Sequence, residues 1–311
     1  MSATEYASAV AAVKAMESSL LTYSDIEQLI GTSALSDTRT LLDSKLSSPK
    51  TMDEVWELLS SYAPGNEALK ILLYRNDFHN LKAVLKAKLS GRKSSDYYIS
   101  PSNVSIDEIE EAFASKEYDC LPEYMREAAE EAYDIATRTL DGQLSDSVID
   151  QAALEAMQRS ACGCGSSFMQ RFAALTTVCA DIKTAYRCSL MQKPRQFLER
   201  AVCGSPELDR EFLIRAALSG TDGLLSQLEA TSYNEAVQML RESPAKFEKW
   251  CDDIIVEHAS SARMQAFGIE PLAAYYIAKE TELKNLRILM ICKECGADSY
   301  TITERMRKLY V

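Results

Sequence analysis

Apolar residues recur at helical spacing along most of the chain. Leu283, Leu286, Leu289 and Met290 fall on one helix face, as do Leu81, Val84 and Leu85, and Val178, Ile182 and Ala185. Tyr6, Val10 and Val13 give an opening helix its stripe. Met125, Ala128, Ala132 and Ile135 line one side of the segment Tyr124 to Arg138, with Glu and Arg opposite. No stretch alternates with period two for long enough to make a sheet, so the expected fold class is all-α.

Helix starts are marked by Ser or Thr followed three residues later by Glu, a pairing that satisfies orphan N–H groups of the first turn. Such boxes are expected at Ser24/Glu27, Thr51/Glu54, Ser105/Glu108, Ser232/Glu235 and Thr301/Glu304, with a further start at Ser205-Pro206-Glu207. The segments Gly91–Ser105, Ser160–Ser167 and Gly204–Pro206 are rich in Ser, Gly or Pro and read as linkers.

One short pattern repeats about a hundred residues apart: Asn80-Leu81-Lys82, Asp181-Ile182-Lys183 and Asn285-Leu286-Arg287. Each copy opens a mostly apolar helical stretch. After each comes a glycine, at Gly91, Gly204 and Gly296, and then a cap. Three copies at near-equal spacing predict three related helical domains, residues 1–120, 121–209 and 210–311. A repeated helical body forms a surface or a socket more naturally than a single catalytic cleft.

Composition narrows the classes. At 311 residues the chain exceeds a single core, and 47% hydrophobic residues suffice to fill several. Eleven glycines and eight prolines are about half the usual share, which suits long helices. The net charge of −12 has the wrong sign for nucleic acid or an anionic lipid surface, so protein partners are expected. The longest charge-free run, Ser160–Gln170, is polar and too short to span a bilayer. The opening residues carry no secretory signature, and nine cysteines read as reduced thiols of a cytoplasmic protein.

Candidate chemistry is sparse. There is no phosphate-binding glycine loop, GxSxG, HExxH or GxGxxG. Cys292 and Cys295 have CxxC spacing but no second ligand pair, Cys162-Gly163-Cys164 reads as a loop CxC, and His79 and His258 stand in no ligand array. No cofactor or metal is expected. The carboxylates Asp107, Glu108, Glu110 and Glu111 crowd a helix start, where they complement its dipole. Lys82, Lys183 and Arg287 read either as solvated cations beside an apolar stripe or as three equivalent cations offered to one partner.

Several segments resemble the C subunit of V/A-type rotary ATPases, the counterpart of the eukaryotic d subunit. They are Gly268-Ile269-Glu270-Pro271, Ala278-Lys279-Glu280, Glu282-Leu283-Lys284-Asn285-Leu286-Arg287 and the run Glu304 to Val311. The opening Tyr6-Ala7-Ser8-Ala9-Val10, Lys14-Ala15-Met16-Glu17 and Leu20-Leu21-Thr22 are similar too, as is Asn80-Leu81-Lys82 with Leu85-Lys86. The middle copy departs from the pattern, with Asp181 for asparagine and Val178 where the outer copies have Asp77 and Glu282. The resemblance implies three similar helical domains around a pseudo-threefold axis, forming a funnel. It implies a non-catalytic rotor component, peripheral to the membrane on its cytoplasmic side. Such a component would join the central-stalk subunits to the proteolipid ring and pass torque for ATP-coupled transport of protons or sodium.

Lys82, Lys183 and Arg287, with Asn80 and Asn285, are the expected partner-facing set. Two other classes stay open at the level of residues. One is a helical-repeat scaffold for a soluble partner; the other is a thiol or metal enzyme using Cys292 and Cys295.

Overall fold

The computed structural model describes residues 6–46, 49–63, 65–91 and 97–311. Residues 1–5 and part of the expected Gly91–Ser105 linker lie outside them. The fold is all-α: among the described residues there is no strand, only an isolated bridge between Ser205 and Leu208.

The chain forms two compact units. One takes the described residues of 1–66 together with 235–311, and the other takes 67–234. In the first, the helix Ala7–Glu17 and the helix Pro244–Ser260 both pack on the long helix Glu270–Glu294. Its core joins Leu21, Ile26, Leu29 and Ile30 to Leu286, Leu289, Cys292, Ile302 and Met306. In the second, Gly142–Gly163 packs on Glu123–Arg138, on Tyr74–Ser90 and on Ser167–Leu190. Of the expected stripes, Leu81, Val84 and Leu85, Val178, Ile182 and Ala185, and Leu286 and Leu289 are buried, while Leu283 and Met290 are half-buried.

Helix starts differ in detail from the expected boxes. Ser105 caps Ile106–Ser115 with its reciprocal Glu108, and the Thr51 hydroxyl accepts from the Glu54 N–H. Elsewhere aspartate does the capping or the answering. Thr22 caps Tyr23–Gly31 with Asp25, two residues before the Ser24 start. Asp209 caps Arg210–Leu218, downstream of Ser205, and Asp298 caps Ser299–Arg305, upstream of Thr301. The helix after Ser232 begins at Asn234. Aspartate accepts an N–H as well as serine does, so a pattern built on Ser/Thr and Glu overlooks it.

The Ser160–Ser167 linker also shrinks. The helix Gly142–Gly163 runs into it, with Cys162 and Gly163 in its last turn and Cys164 at its end. Only Cys164 to Ser166 separate it from the next helix, Ser167–Leu190.

Candidate functional site

The repeated tripeptide has one structural job in all three copies. Asn80 is fully buried; its Nδ2 donates to the Ile99 carbonyl at 2.9 Å, and the Ile99 N–H donates to its Oδ1 at 2.8 Å. Asn285 is fully buried too and treats Arg307 the same way, at 3.1 and 2.8 Å. Asp181, 1% exposed, accepts the Cys203 N–H at 2.9 Å and the Gly204 N–H at 2.6 Å. Each residue thus ties the long helix to the segment that returns along it about twenty residues later.

The change from amide to carboxylate matches its surroundings. An amide presents one donor side and one acceptor side, so it pairs with both groups of a single backbone residue. A carboxylate only accepts, and in the middle copy it meets two successive N–H groups. Burial pushes the Asp181 carboxyl up to about 6, against the lowering effect of those N–H groups and of Arg210.

A second mark keeps register. Eleven residues beyond each anchor the backbone turns left-handed, at Gly91 (φ 66), Gln192 (φ 51) and Gly296 (φ 69). This reversal ends each long helix. In the middle copy it falls on Gln192, not on Gly204, because the helix ends at Leu190 and Gly204 belongs to the returning segment. Glutamine carries no turn signal, so the sequence pattern passes over it.

Three residues before the anchors stand Asp77, Val178 and Glu282. Asp77 is fully buried and accepts from the Asn103 N–H at 2.6 Å, the Asn103 amide at 2.8 Å, the Val104 N–H at 3.3 Å and the Tyr124 hydroxyl at 3.0 Å. Burial raises its carboxyl above the usual range despite these donors. Glu282 takes the Leu21 N–H at 2.7 Å and pairs with the buried Lys279. Where Val178 offers nothing, the Leu208 N–H turns instead to the carbonyl and hydroxyl of Ser205, both at 3.2 Å.

The three cations have separate surroundings. Lys82 is half-buried and pairs with Asp150 at 2.5 Å. Lys183 is half-buried and engaged. Arg287 is exposed and forms no ion pair among the described residues. Asn80 and Asn285, expected to face a partner, are spent on backbone groups inside the protein. The adjoining cation is the visible mark, while the buried neighbour two positions earlier does the anchoring.

A further polar cluster is hidden from sequence reading because its members lie far apart along the chain. Glu17 accepts from the Tyr310 hydroxyl at 2.9 Å and from Lys14 at 2.9 Å, and Lys14 also donates to the Arg263 carbonyl at 2.7 Å. Nearby Tyr275 is fully buried, and its hydroxyl finds no partner among the described residues. Burial and the charges of Glu282 and Glu17 push that hydroxyl up to about 12.

The thiols form no site. Cys292 is buried seven residues beyond Asn285, and Cys188 is buried seven residues beyond Asp181, so the CxxC contains a repeated core position. Cys295 and Cys162 are exposed and unbridged. No group of three or more His, Cys, Asp or Glu among the described residues is arranged to hold a metal ion.

Comparison with known proteins agrees in extent with this whole-chain pattern. Residues 9–305 match the family described as ATP synthase (C/AC39) subunit. The C subunit of the V-type sodium ATPase of Enterococcus hirae is 24% identical over 96% of this chain and 97% of its own length. The C subunit of the A-type ATP synthase of Methanocaldococcus jannaschii is 22% identical over 76% of this chain and 65% of its own. The C subunit of the V-type ATP synthase of Thermus thermophilus is 22% identical over 72% and 69%. The chain belongs to the ATP synthase (C/AC39) subunit family, as a structural rather than a catalytic member of the complex.

Proposed function

We propose that the chain is a rotor adaptor: it seats the central stalk of a V/A-type ATPase on the membrane proteolipid ring and passes torque between them. The observation that carries this reading is the anchor found three times. In each copy a long helix is tied by a buried side chain to its own returning segment. Torque transfer needs a body that deforms little, and close-packed helices cross-tied in this way meet the need. The same recurrence supports three similar domains about a pseudo-threefold axis, forming a socket. The proposed domains are residues 1–120, 121–209 and 210–311.

No described helix is long and apolar enough to cross a membrane. An adaptor with net charge −12 docks on protein loops and a basic stalk foot, on the cytoplasmic side. Lys82, Lys183 and Arg287 are the residues proposed to face those partners. The test is to mix the purified chain with its central-stalk subunits at micromolar concentration and separate by size. One stoichiometric complex is expected; separate elution would refute the reading.

A further inference from the structure

In two copies the returning segment runs straight into a capped helix that packs back on the long helix. After Asn80, the segment through Val104 leads to the Ser105 cap, and Ile106–Ser115 packs on Tyr74–Ser90. After Asp181, the segment through Leu208 leads to the Asp209 cap, and Arg210–Leu218 packs on Ser167–Leu190. In both, the fourth, seventh and eighth residues past the cap are buried: Ile109, Ala112 and Phe113, then Leu213, Ala216 and Ala217.

The third copy has the same parts in a different order. Its returning segment is Arg307 to Tyr310, and the matching capped helix comes from far upstream in the sequence. Thr22 caps Tyr23–Gly31 with a reciprocal Asp25, as Ser105 does with Glu108. The fourth, seventh and eighth residues past Thr22 are Ile26, Leu29 and Ile30, which share a core with Leu286, Leu289 and Cys292. In the two outer copies the residue before the cap is held alike. Asp77 takes the N–H of Val104, and Glu282, at the matching position, takes the N–H of Leu21.

We infer that the segments Glu17–Gly31 and Arg307–Tyr310, docked on the long helix Glu270–Glu294, form a non-covalent latch, which completes the third copy as chain continuity completes the other two. The fasteners are the Leu21 N–H on Glu282 at 2.7 Å, the Leu309 N–H on the Tyr23 hydroxyl at 3.3 Å and the Tyr310 hydroxyl on Glu17 at 2.9 Å. The Lys308 N–H on Asp253 at 2.6 Å and the Asn285–Arg307 pair hold the returning segment itself. This join holds no covalent link: it parts by breaking these hydrogen bonds and the apolar contacts of Ile26, Leu29 and Ile30 with Leu286, Leu289 and Cys292, whereas chain continuity keeps the other two closed, so it opens before they do. The inference rests on the three-copy reading proposed above.

Amide hydrogen exchange on the full chain tests it. Tyr310→Phe removes one fastener and keeps the ring; it should speed exchange at Leu21, Lys308 and Leu309 at least tenfold. The matched amides Val104, Cys203 and Gly204 should stay within twofold of the unmodified chain. Glu282→Gln, which weakens a second fastener, should give the same local pattern. Unchanged exchange at Leu21 and Leu309 in both variants, or equal acceleration at Val104 and Gly204, would overturn the latch. Stalk binding by the unmodified chain is scored separately, so failure there sinks the adaptor reading and leaves the latch standing.

Discussion

Asp181→Asn separates two effects that the middle anchor combines. The wild-type carboxyl is raised from the ordinary 3.8 to about 6 in the folded protein. Between those pH values the folded state holds a proton that the unfolded chain has released. Stability therefore falls as pH rises through this window, and the loss is complete above it. A rise of about two units corresponds to about 3 kcal/mol. Asparagine does not titrate there, so the variant escapes this loss. It incurs a different one at every pH, because its Nδ2 faces an N–H and leaves one backbone donor unpaired, at about 1–3 kcal/mol. Urea unfolding followed by far-UV circular dichroism, at several pH values from about 3.5 to 7.5, reads both. The offset is the difference between the two proteins at low pH. The variant should then gain on the wild type by about 3 kcal/mol as pH rises. A difference that stays flat across the range, or moves the other way, would refute the assignment of a raised, buried carboxyl.

The reciprocal change, Asn285→Asp, turns a carboxylate oxygen toward the Arg307 carbonyl and should cost about 2–4 kcal/mol in urea unfolding at neutral pH; a neutral result would contradict the donor–acceptor matching. Gln192→Gly relieves a left-handed residue (φ 51) and should stabilise by about 1 kcal/mol, measured as a raised unfolding midpoint, whereas Gly296→Ala should cost about as much. Cys292→Ala with Cys295→Ala should leave stalk binding intact and lower stability by about 1–2 kcal/mol through the lost core sulfur; loss of binding in a folded double variant would revive a thiol-based function. Reversing Lys82, Lys183 and Arg287 together should weaken stalk binding in a pulldown more than reversing three unrelated exposed cations; equal losses would count against these three as partner-facing residues.

The all-helical class was legible because buried faces impose their period directly: Leu81, Val84 and Leu85 are found inside, as the spacing requires. The recurring pattern was legible through the polar anchor in all three places and through the helix-ending glycine in the outer two, Gly91 and Gly296. Its meaning was not. Lys82 and Arg287 look functional in a sequence because they are charged, yet the recurring geometry belongs to Asn80 and Asn285 beside them. Asp181 reads in the sequence as a degraded asparagine, but hydrogen-bond partners, which no local pattern records, make it the fitting residue. Gln192 adopts a glycine's conformation without being glycine, at the end of the helix Ser167–Leu190, so no composition signal marks the turn. The cluster of Glu17, Glu282, Tyr275 and Tyr310 was beyond reach for a simpler reason: its hydrogen bonds join residues as far as 293 positions apart.

The central claim is mechanical linkage, and the most direct measurement is reconstitution of the whole ATPase with and without this chain. Coupled transport and ATP hydrolysis are followed in the same proteoliposomes. With the chain present, hydrolysis drives ion movement. Without it, the account predicts that the catalytic head still hydrolyses ATP while transport falls to background, and that adding the purified chain restores coupling. Full ATP-driven transport in its absence would contradict the account.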